Sequence, residues 1–491
     1  MAGMIDFQSG GLLYALLWFL GFSFLTFNLV YMLIASLYRS FAQAPPLKER
    51  ELVKWPRTAV VYPVKNEKEG LYERLRYSLQ SNSRTVDFWL LSDSDTDHLE
   101  DEAQLLSRLR EEFGEKAIQY RHREKPVEKK QGNIMEWLHS HPEYEYFFVC
   151  DADTLLPEGT LEKMLGKAEH PDNQGIAILQ SQLQVVHAKT YFARFQATSA
   201  RLAQNLYVSV NQTVFGRYVS FGHGCLIRAK AFRELRLPKG IWSHDIWDTV
   251  LLDQKGWKTV FCEDAVCFDE VPSHYLELKS RNRRWARGTL QSWPLLFKKG
   301  VSAASRFYVF YGIYMYISQP IFFFWILMSF WAASEASGNL LNFQRYSFLG
   351  GTLVDIELAG MMIFSLAVVF LHKLVVCKNV RDVWEVIKEI FFSTLICLNN
   401  IFYQTMDLIL IPFQKTGWIP VKKDPHAGVS LRKAVRVLWP STLLGFLGLY
   451  FGLRESPQWA FGAMPFLISF SFIIPLTYLT SKQAASHAIA R

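Results

Sequence analysis

Residues 147–156 read FFVCDADTLL, and in them four apolar residues lead directly into Asp151 and Asp153. The apolar run is typical of a buried β-strand, and the two carboxylates at its end repel each other. A divalent cation offsets such repulsion, because Mg²⁺ binds one or two carboxylates together with substrate phosphates. In an extended segment, residues i and i+2 project to the same side, so both acids could serve one metal ion. The alternative is an ordinary acidic turn before the next helix.

The 491-residue chain has a charged middle and apolar flanks. Runs of roughly 20 apolar residues, enough to cross about 30 Å of hydrocarbon, occupy 12–37, 307–333, 356–376, 390–412, 434–453 and 460–479. The sequence therefore predicts an N-terminal transmembrane helix in 1–41, a globular domain in 42–306 and a C-terminal membrane region in 307–491. No Lys or Arg precedes the first run, which is also too long for a signal-peptide core, so we expect a retained membrane anchor.

The net charge of +8 is concentrated at the membrane borders. Lys and Arg cluster in 39–54, 298–306, 373–388 and 415–436. The positive-inside rule places these clusters and the globular domain in the cytoplasm, with the N-terminus outside. Segment 390–412 has basic flanks and contains Asn399 and Asp407, so it is predicted to be interfacial or re-entrant, which leaves five spans. Lipid head groups account for the basic clusters, and nucleic-acid binding is not expected.

The middle of the chain alternates β-rich runs with amphipathic stretches. The candidate strands are 59–63, 88–91, 118–121, 146–150, 176–182 and 259–262. This alternation predicts an α/β fold with a mostly parallel sheet covered on both faces, and ligands of such sheets bind at the carboxyl ends of the strands. Polar side chains follow three strands there: Asn66 and Glu67, Asp93 and Asp95, and Asp151 and Asp153. They predict one pocket lined by oxygen ligands.

Four further motifs carry polar side chains suited to such a pocket. In WSHDIWD (242–248), Asp245 is either a helix N-cap or a general base for a sugar hydroxyl. In RNRRWARG (281–288), Arg281 and Arg284 share a helix face beside Trp285, and they suit a diphosphate or form a basic membrane flank. KKQGN (129–133) and FGHGCLIR (221–228) each join a glycine to polar side chains, as a nucleotide loop or a plain turn does.

Taken in order, VVYPVKNE (60–67), LLSDSD (90–95), KKQGN, DADT (151–154), FGHG, SHD and RNRRW resemble the motifs of family 2 processive glycosyltransferases. These are the membrane synthases of cellulose, hyaluronan and chitin, which have a GT-A catalytic domain. Ser-His-Asp and Arg-Asn-Arg-Arg-Trp are most similar to the bacterial inner-membrane enzymes that build the backbone of osmoregulated periplasmic glucans. Most other synthases have Thr-Glu-Asp and Gln-x-x-Arg-Trp at these places, so Arg281 replaces the usual Gln.

The resemblance implies a role for each residue of these motifs. Asp151 and Asp153 would hold the diphosphate of UDP-glucose through Mg²⁺ or Mn²⁺, and Asp93 would contact the uridine. Asp245 would be the catalytic base, Arg281 and Arg284 would steady the pyrophosphate, and Trp285 would stack on the acceptor glucan. Further substrate contacts are expected from Asn66, Glu67, Lys130, His223, His244 and Trp418. Trp418 belongs to a predicted gating loop, 413–433, that would close over the nucleotide.

These observations predict an inverting glucosyltransferase of the bacterial inner membrane, which extends a β-glucan from UDP-glucose and passes it outward. Its expected partners are the lipid bilayer, the glucan acceptor and a periplasmic glucan-processing protein. Three alternatives remain open: a synthase of another β-linked polysaccharide, a lipid-linked sugar transferase, and a transporter with a nucleotide-sensing domain.

Overall fold

The computed structural model describes residues 9–42, 45–82, 86–335, 347–348, 351–352, 358–411, 428–455 and 457–484. Its strands are β1 (Thr58–Val64), β2 (Asp87–Ser92), β3 (Ile118–His122), β4 (Tyr146–Val149), β5 (Ile176–Val185), β6 (Cys225–Arg228), β7 (Lys258–Asp269), β8 (Ser347–Phe348) and β9 (Gly351–Thr352). Its α-helices are α1 (Ser9–Phe41), α2 (Leu71–Asn82), α3 (Leu99–Phe113), α4 (Lys129–Ser140), α5 (Thr160–Ala168), α6 (Tyr191–Ala203), α7 (Ser209–Phe215), α8 (Ala229–Arg233), α9 (His244–Gln254), α10 (Tyr275–Leu290), α11 (Ala303–Glu335), α12 (Leu358–Leu374), α13 (Val380–Leu410), α14 (Leu431–Glu455), α15 (Pro457–Gly462) and α16 (Met464–Thr480).

Seven strands form one mixed sheet in the order β3-β2-β1-β4-β6-β5-β7. β1 pairs in parallel with β2 and β4, β2 with β3, and β5 with β7. Only β6 runs antiparallel to its neighbours in this sheet. The predicted α/β fold with a mostly parallel sheet is confirmed. The strand β6 was not predicted, because its four residues directly follow the glycines of FGHG, which indicate a loop.

Both faces of the sheet are covered, and β1 shows why its residues are apolar. Val60 and Tyr62 enter a core formed with α2, α3 and α5. Ala59 and Val61 enter a second core on the other face, where Trp137 of α4 is fully buried. Because successive side chains of a strand point to opposite faces, a strand between two cores needs apolar residues at every position. Ligands therefore reach this sheet at the ends of its strands.

Four helices of the described chain are long and apolar enough to cross a membrane. The candidate spans are Leu16–Phe41, Ala303–Ser329, Val380–Leu410 and Leu431–Glu455, and Met464–Thr480 is a shorter apolar helix. α13 thus begins well before residue 390 and meets the length and composition of a span. The interfacial position of 390–412 remains a prediction.

The polar residues of α13 contact α10 of the globular domain. Tyr275 Oη donates to Asn400 Oδ1 at 2.9 Å, and Arg283 Nε lies 3.6 Å from Asp407 Oδ1. Polar side chains within a membrane helix are costly in lipid unless they are paired or face the protein interior. Pairing with α10 removes much of that cost, and it fixes the helix that carries RNRRW against the membrane region.

Candidate active site

The Asp151–Asp153 acids leave β4 in a turn. Thr154 N–H donates to the Asp151 carbonyl at 3.0 Å, and Asp151 N–H donates to Thr154 Oγ1 at 3.1 Å. The extended segment assumed from the sequence is therefore wrong, because the buried Thr154 bonds back to Asp151 and closes the turn. Both acids nevertheless line the same cavity.

This cavity lies at the carboxyl ends of the strands and has a volume of about 1490 Å³. Twelve predicted site residues line it: Asn66, Glu67, Asp93, Lys130, Asp151, Asp153, His223, His244, Asp245, Arg281, Arg284 and Trp285. Asp95, which was also expected in the pocket, does not line the cavity and instead accepts a hydrogen bond from Asn66. Trp418 lies outside the described residues, as does most of the predicted gating loop. Residues up to 219 positions apart (Asn66 to Trp285, 285 − 66) thus converge on one site.

Lys130, in the first turn of α4, faces the charge of Asp151. Its Nζ contacts Asp151 Oδ1 and donates to the Gly222 carbonyl at 2.7 Å. The helix begins with a tight approach, since a Cβ on Gly132 would lie 2.0 Å from the Val127 carbonyl oxygen. KKQGN is therefore the start of a helix rather than a plain turn, and it joins the DAD turn to the FGHG loop.

Asp93 forms a buried, bidentate ion pair with Arg123. Arg123 Nε donates to Oδ1 at 2.7 Å and Nη2 to Oδ2 at 2.6 Å, and the side chains are 4% and 6% exposed. Sequence reasoning missed Arg123. The available signal was its place just after the predicted strand 118–121, beside the acids that follow strand 88–91. Opposite charges at the ends of neighbouring parallel strands are well placed to pair.

Asn66 holds the loops after β1 and β2 together. Its Nδ2 donates to Asp95 Oδ2 at 2.7 Å, and Asp95 N–H donates to its Oδ1 at 2.8 Å. Asn66 has a φ of 57°, a left-handed conformation that asparagine tolerates. The hydrogen bond from Asn66 also lowers the pKa of the Asp95 carboxyl. Both polar ends of this amide are thereby engaged by the loop after β2.

Asp245 occupies the first turn of α9 and is not its N-cap. The N-cap is Ser243, whose Oγ donates to Asp245 Oδ1 at 2.7 Å. A Cβ added to Gly222 would lie 3.3 Å from Asp245 Cβ, so the FGHG loop passes directly beside the acid. Its position in the cavity wall fits the general-base alternative better than the N-cap alternative.

A buried carboxylate lies behind Asp245, at Asp248. His244 Nδ1 lies 2.7 Å from Asp248 Oδ2, and Gln131 Nε2 donates to Asp248 Oδ1 at 3.0 Å. Burial raises the pKa of Asp248, while the hydrogen bond with His244 opposes that shift. α9 is thus connected to the KKQGN segment of α4.

α10 places Arg281 and Arg284 in the wall of the cavity. The Arg281 guanidinium lies 4.4 Å from the centroid of the Trp285 ring, and burial lowers the pKa of Arg281 to about 10. Burial also lowers the pKa of Arg284, whose charge is attracted by Asp151 and Glu67. Because both arginines line the cavity, they are more than a basic flank of the membrane region. Gly288 allows α10 to approach the SHD turn, since a Cβ there would lie 2.6 Å from Ser243 Cβ.

Two acids at the end of β7 also line the cavity and were missed: Asp269, the last residue of the strand, and Glu270, which follows it. His223 Nε2 lies 3.9 Å from Asp269 Oδ2, and burial raises the pKa of Asp269. Arg74 Nη2 donates to Glu270 Oε2 at 2.8 Å, and its Nη1 donates to the Ala152 carbonyl in the DAD turn at 3.3 Å. The signal was present in CFDE (267–270), an apolar strand followed by acids, but the predicted strand ended at residue 262.

The donor set suits a divalent cation that arrives with a diphosphate. Within the described ranges, no group of three or more His, Cys, Asp or Glu side chains is placed to hold a metal ion alone. Asp151 and Asp153 offer two carboxylates on one turn, and Mg²⁺ or Mn²⁺ completes such a site with phosphate oxygens. Lys130 and Arg284 add positive charge at the same place.

The mixed sheet, with an acidic turn after its fourth strand and a cavity at the strand ends, defines the GT-A fold of glycosyltransferases. The mannosyltransferase of Pyrobaculum calidifontis, solved in complex with GDP-Man and Mn²⁺, shares this fold with a TM-score of 0.54. The two chains are 14% identical, and the alignment covers 82% of this chain and 100% of the mannosyltransferase.

Residues 146–376 match the family model described as Glycosyl transferase family group 2. Glucans biosynthesis glucosyltransferase H of Bradyrhizobium diazoefficiens is 31% identical over 303 residues, which cover 57% of this chain and 40% of the relative. The protein of that name from Pseudomonas fluorescens is 26% identical over 469 residues, 87% of this chain and 54% of the relative. The chain therefore spans about half the length of the curated relatives it matches. The predicted resemblance is confirmed; these relatives support a glycosyltransferase, and the apolar helices support a membrane protein.

Proposed function

We propose that this chain is an inverting glucosyltransferase that transfers glucose from UDP-glucose to the end of a β-glucan. The observation that carries the proposal is the convergence of Asp245, Lys130, Arg284 and the DAD turn on one cavity. The relatives named glucosyltransferase H support glucose as the donor sugar and a glucan as the product. We assign that product to the backbone of osmoregulated periplasmic glucans.

The donor lies with its diphosphate at the DAD turn. Asp151 and Asp153 would hold a Mg²⁺ or Mn²⁺ ion beside the diphosphate, and such a cation would supply Lewis-acid stabilisation of the leaving phosphate oxygens. Lys130 and Arg284 offset the remaining negative charge, since ammonium and guanidinium groups bind phosphate oxygens well. The uridine lies at the loop after β2, where the Arg123 pair holds Asp93 in place.

Transfer proceeds by in-line attack of an acceptor hydroxyl on the anomeric carbon of the donor. The new carbon–oxygen bond forms as the bond to the diphosphate breaks, so the configuration inverts and UDP leaves. The hydroxyl proton moves to the Asp245 carboxylate, which lines the cavity. One base and one stabilised leaving group are sufficient, and a second carboxylate nucleophile has no part in this step.

The cavity gives the glucan a direction of travel. Beyond the sheet it is lined by Asn28 and Met32 of α1 and by Tyr311, Met315 and Tyr316 of α11. We assign this end to the growing chain, which passes from the cytoplasmic catalytic domain between these helices toward the periplasm. A periplasmic glucan-processing protein would receive it there.

Removal of the base tests the chemistry. Membranes containing the protein should release UDP from UDP-glucose when Mg²⁺ or Mn²⁺ is present, and Asp245→Asn should lower the rate by about 10²–10⁴-fold. Asp172→Asn is the matched control, because Asp172 is an exposed partner of Lys48 outside the cavity. Equal UDP release by wild type and Asp245→Asn would overturn the base assignment.

A panel of donors tests the sugar. We expect UDP release from UDP-glucose to exceed nucleotide release from GDP-mannose, UDP-N-acetylglucosamine and UDP-glucuronate. Faster reaction with another donor would redirect the proposal to a different polysaccharide or a lipid-linked acceptor. Release from no nucleotide sugar would favour the transporter alternative.

A further inference from the structure

Asp248 is a buried carboxylate that contacts His244, a residue of the cavity wall. The transfer step described above uses neither residue. Asp248 is 3% exposed, whereas the His244 side chain is 19% exposed and lines the cavity. A buried carboxylate is costly unless it is paired and hydrogen-bonded. Both oxygens of Asp248 are engaged, one by His244 Nδ1 at 2.7 Å and one by Gln131 Nε2 at 3.0 Å.

The partners of Asp248 fix how the imidazole of His244 is used. Because the carboxylate accepts, Nδ1 is the ring nitrogen that donates to Asp248, and Nε2 is the ring nitrogen that remains for another partner. Among the described residues, none forms a hydrogen bond with Nε2. The ring is therefore held in one orientation, with its second nitrogen available to a ligand.

The space in front of the ring is shared with Asp245. A Cβ on Gly222 would lie 3.7 Å from His244 Cε1 and 3.3 Å from Asp245 Cβ, so the missing side chain keeps a gap open beside both residues. The nearest cation, Lys130, is already engaged beside the gap, because its Nζ contacts Asp151 and donates to the Gly222 carbonyl at 2.7 Å. A group that enters this gap meets the Asp245 carboxylate and the His244 ring, and a carboxylate favours a hydroxyl of a sugar over a phosphate.

We infer that His244 Nε2 accepts a hydrogen bond from a hydroxyl of the acceptor sugar, adjacent to the hydroxyl that attacks, and that Asp248 is a positioning residue that orients the ring. This inference rests on the proposed function and deepens it, because it assigns an acceptor subsite. It also assigns a role to Gln131, whose Nε2 donates to Asp248 Oδ1 and so helps to hold the carboxylate that orients the ring. Without this contact the acceptor loses alignment, and water competes for the donor.

Two substitutions at one position separate this subsite from a merely structural bond. The amide of asparagine reaches as far as Nδ1, so His244→Asn keeps the contact with Asp248 and loses the group at Nε2. The amide of glutamine reaches as far as Nε2, so His244→Gln loses the contact with Asp248 and keeps a polar group facing the acceptor. The readout is glucose incorporated into polymer per UDP released, which reports how well transfer is coupled to donor cleavage.

We expect His244→Asn to lower this ratio about fivefold, the loss of one hydrogen bond, and His244→Gln to retain more of it. His139→Asn, an exposed histidine on α4, is the control and should keep the wild-type ratio. A ratio for His244→Asn equal to or above that of His244→Gln would overturn the subsite. An inactive wild type with every nucleotide sugar would overturn the proposed function and this inference together.

Asp248 is tested by a second pair of variants. Asp248→Asn keeps an oxygen that accepts from Nδ1–H and should retain most of the ratio, whereas Asp248→Ala should lower it. The melting temperature of each purified variant shows whether it is folded. A folded Asp248→Ala protein with the wild-type ratio would remove Asp248 as a positioning residue.

Discussion

Asp151 and Asp153 illustrate how neighbouring carboxylates are accommodated at this site. Lys130 Nζ contacts Asp151, and the charge of Arg284 faces the same carboxylate. Protein cations thus offset part of the repulsion between the two acids, which the sequence analysis assigned to a divalent cation. The sequence indicated the two acids and both cations, but not that Lys130 lies on Asp151, because distances between loops follow from the packing of several elements.

Asp93 gives a prediction at the residue scale. Asp93→Asn leaves the guanidinium of Arg123, 4% exposed, without its bidentate partner, and removal of one partner from a buried pair costs about 3 kcal/mol. We expect a loss of several degrees in the melting temperature of the purified protein, followed by intrinsic tryptophan fluorescence. Asp172→Asn breaks an ion pair whose side chains are 57% and 70% exposed, and it should melt close to wild type. Equal melting temperatures for the two variants would contradict the buried pair.

At the scale of elements, the site depends on how closely helix starts approach neighbouring loops. α4 begins at KKQGN and presents Lys130 only because Gly132 lies against the Val127 carbonyl. The alternation of strands and helices predicted six strands of the main sheet, since each is an apolar run followed by polar residues. It could not predict β6, whose four residues gain their strand conformation from pairing with β4 and β5.

Gly132→Ala tests this element directly. The added Cβ would lie 2.0 Å from a backbone carbonyl, so α4 must shift, with a loss of stability of about 1–3 kcal/mol. Because Lys130 shifts with the helix, the KM for UDP-glucose should rise as the melting temperature falls. Gly175→Ala is the control, since no atom lies within 4 Å of its added Cβ. If Gly132→Ala matches Gly175→Ala in KM and melting temperature, the close approach has no consequence for the site.

At the scale of the whole molecule, the sequence distinguished the globular domain from the membrane region but not the contact between them. The polar residues of α13 suggested an interfacial helix, yet Tyr275 and Arg283 of α10 bond to them. A hydropathy pattern records how polar a helix is, and it does not record which protein surface covers its polar side. Whether α13 crosses the membrane therefore depends on its packing against α10 as well as on its composition.

The orientation of the domain yields a prediction at the same scale. By the positive-inside rule, the basic clusters predict that residues 42–306 lie in the cytoplasm. Protease added outside intact spheroplasts should leave this domain uncut, and protease added to inverted membrane vesicles should cleave its exposed loops. A known periplasmic protein and a known cytoplasmic protein serve as controls for sidedness. Cleavage in intact spheroplasts would reverse the topology and the direction assigned to the glucan.

The proposed function depends most on the binding of a nucleotide-sugar diphosphate to Asp151 and Asp153 through a divalent cation. Its most direct test is calorimetric titration of UDP into the purified protein, in Mn²⁺ and in EDTA, for wild type and for the double variant Asp151→Asn, Asp153→Asn. We predict that wild type binds UDP tightly only in Mn²⁺, and that the double variant binds at least about tenfold more weakly, as expected when charge-assisted contacts are lost. Equal UDP affinity of wild type and double variant in Mn²⁺, unchanged in EDTA, would show that these two acids do not bind the diphosphate through a cation.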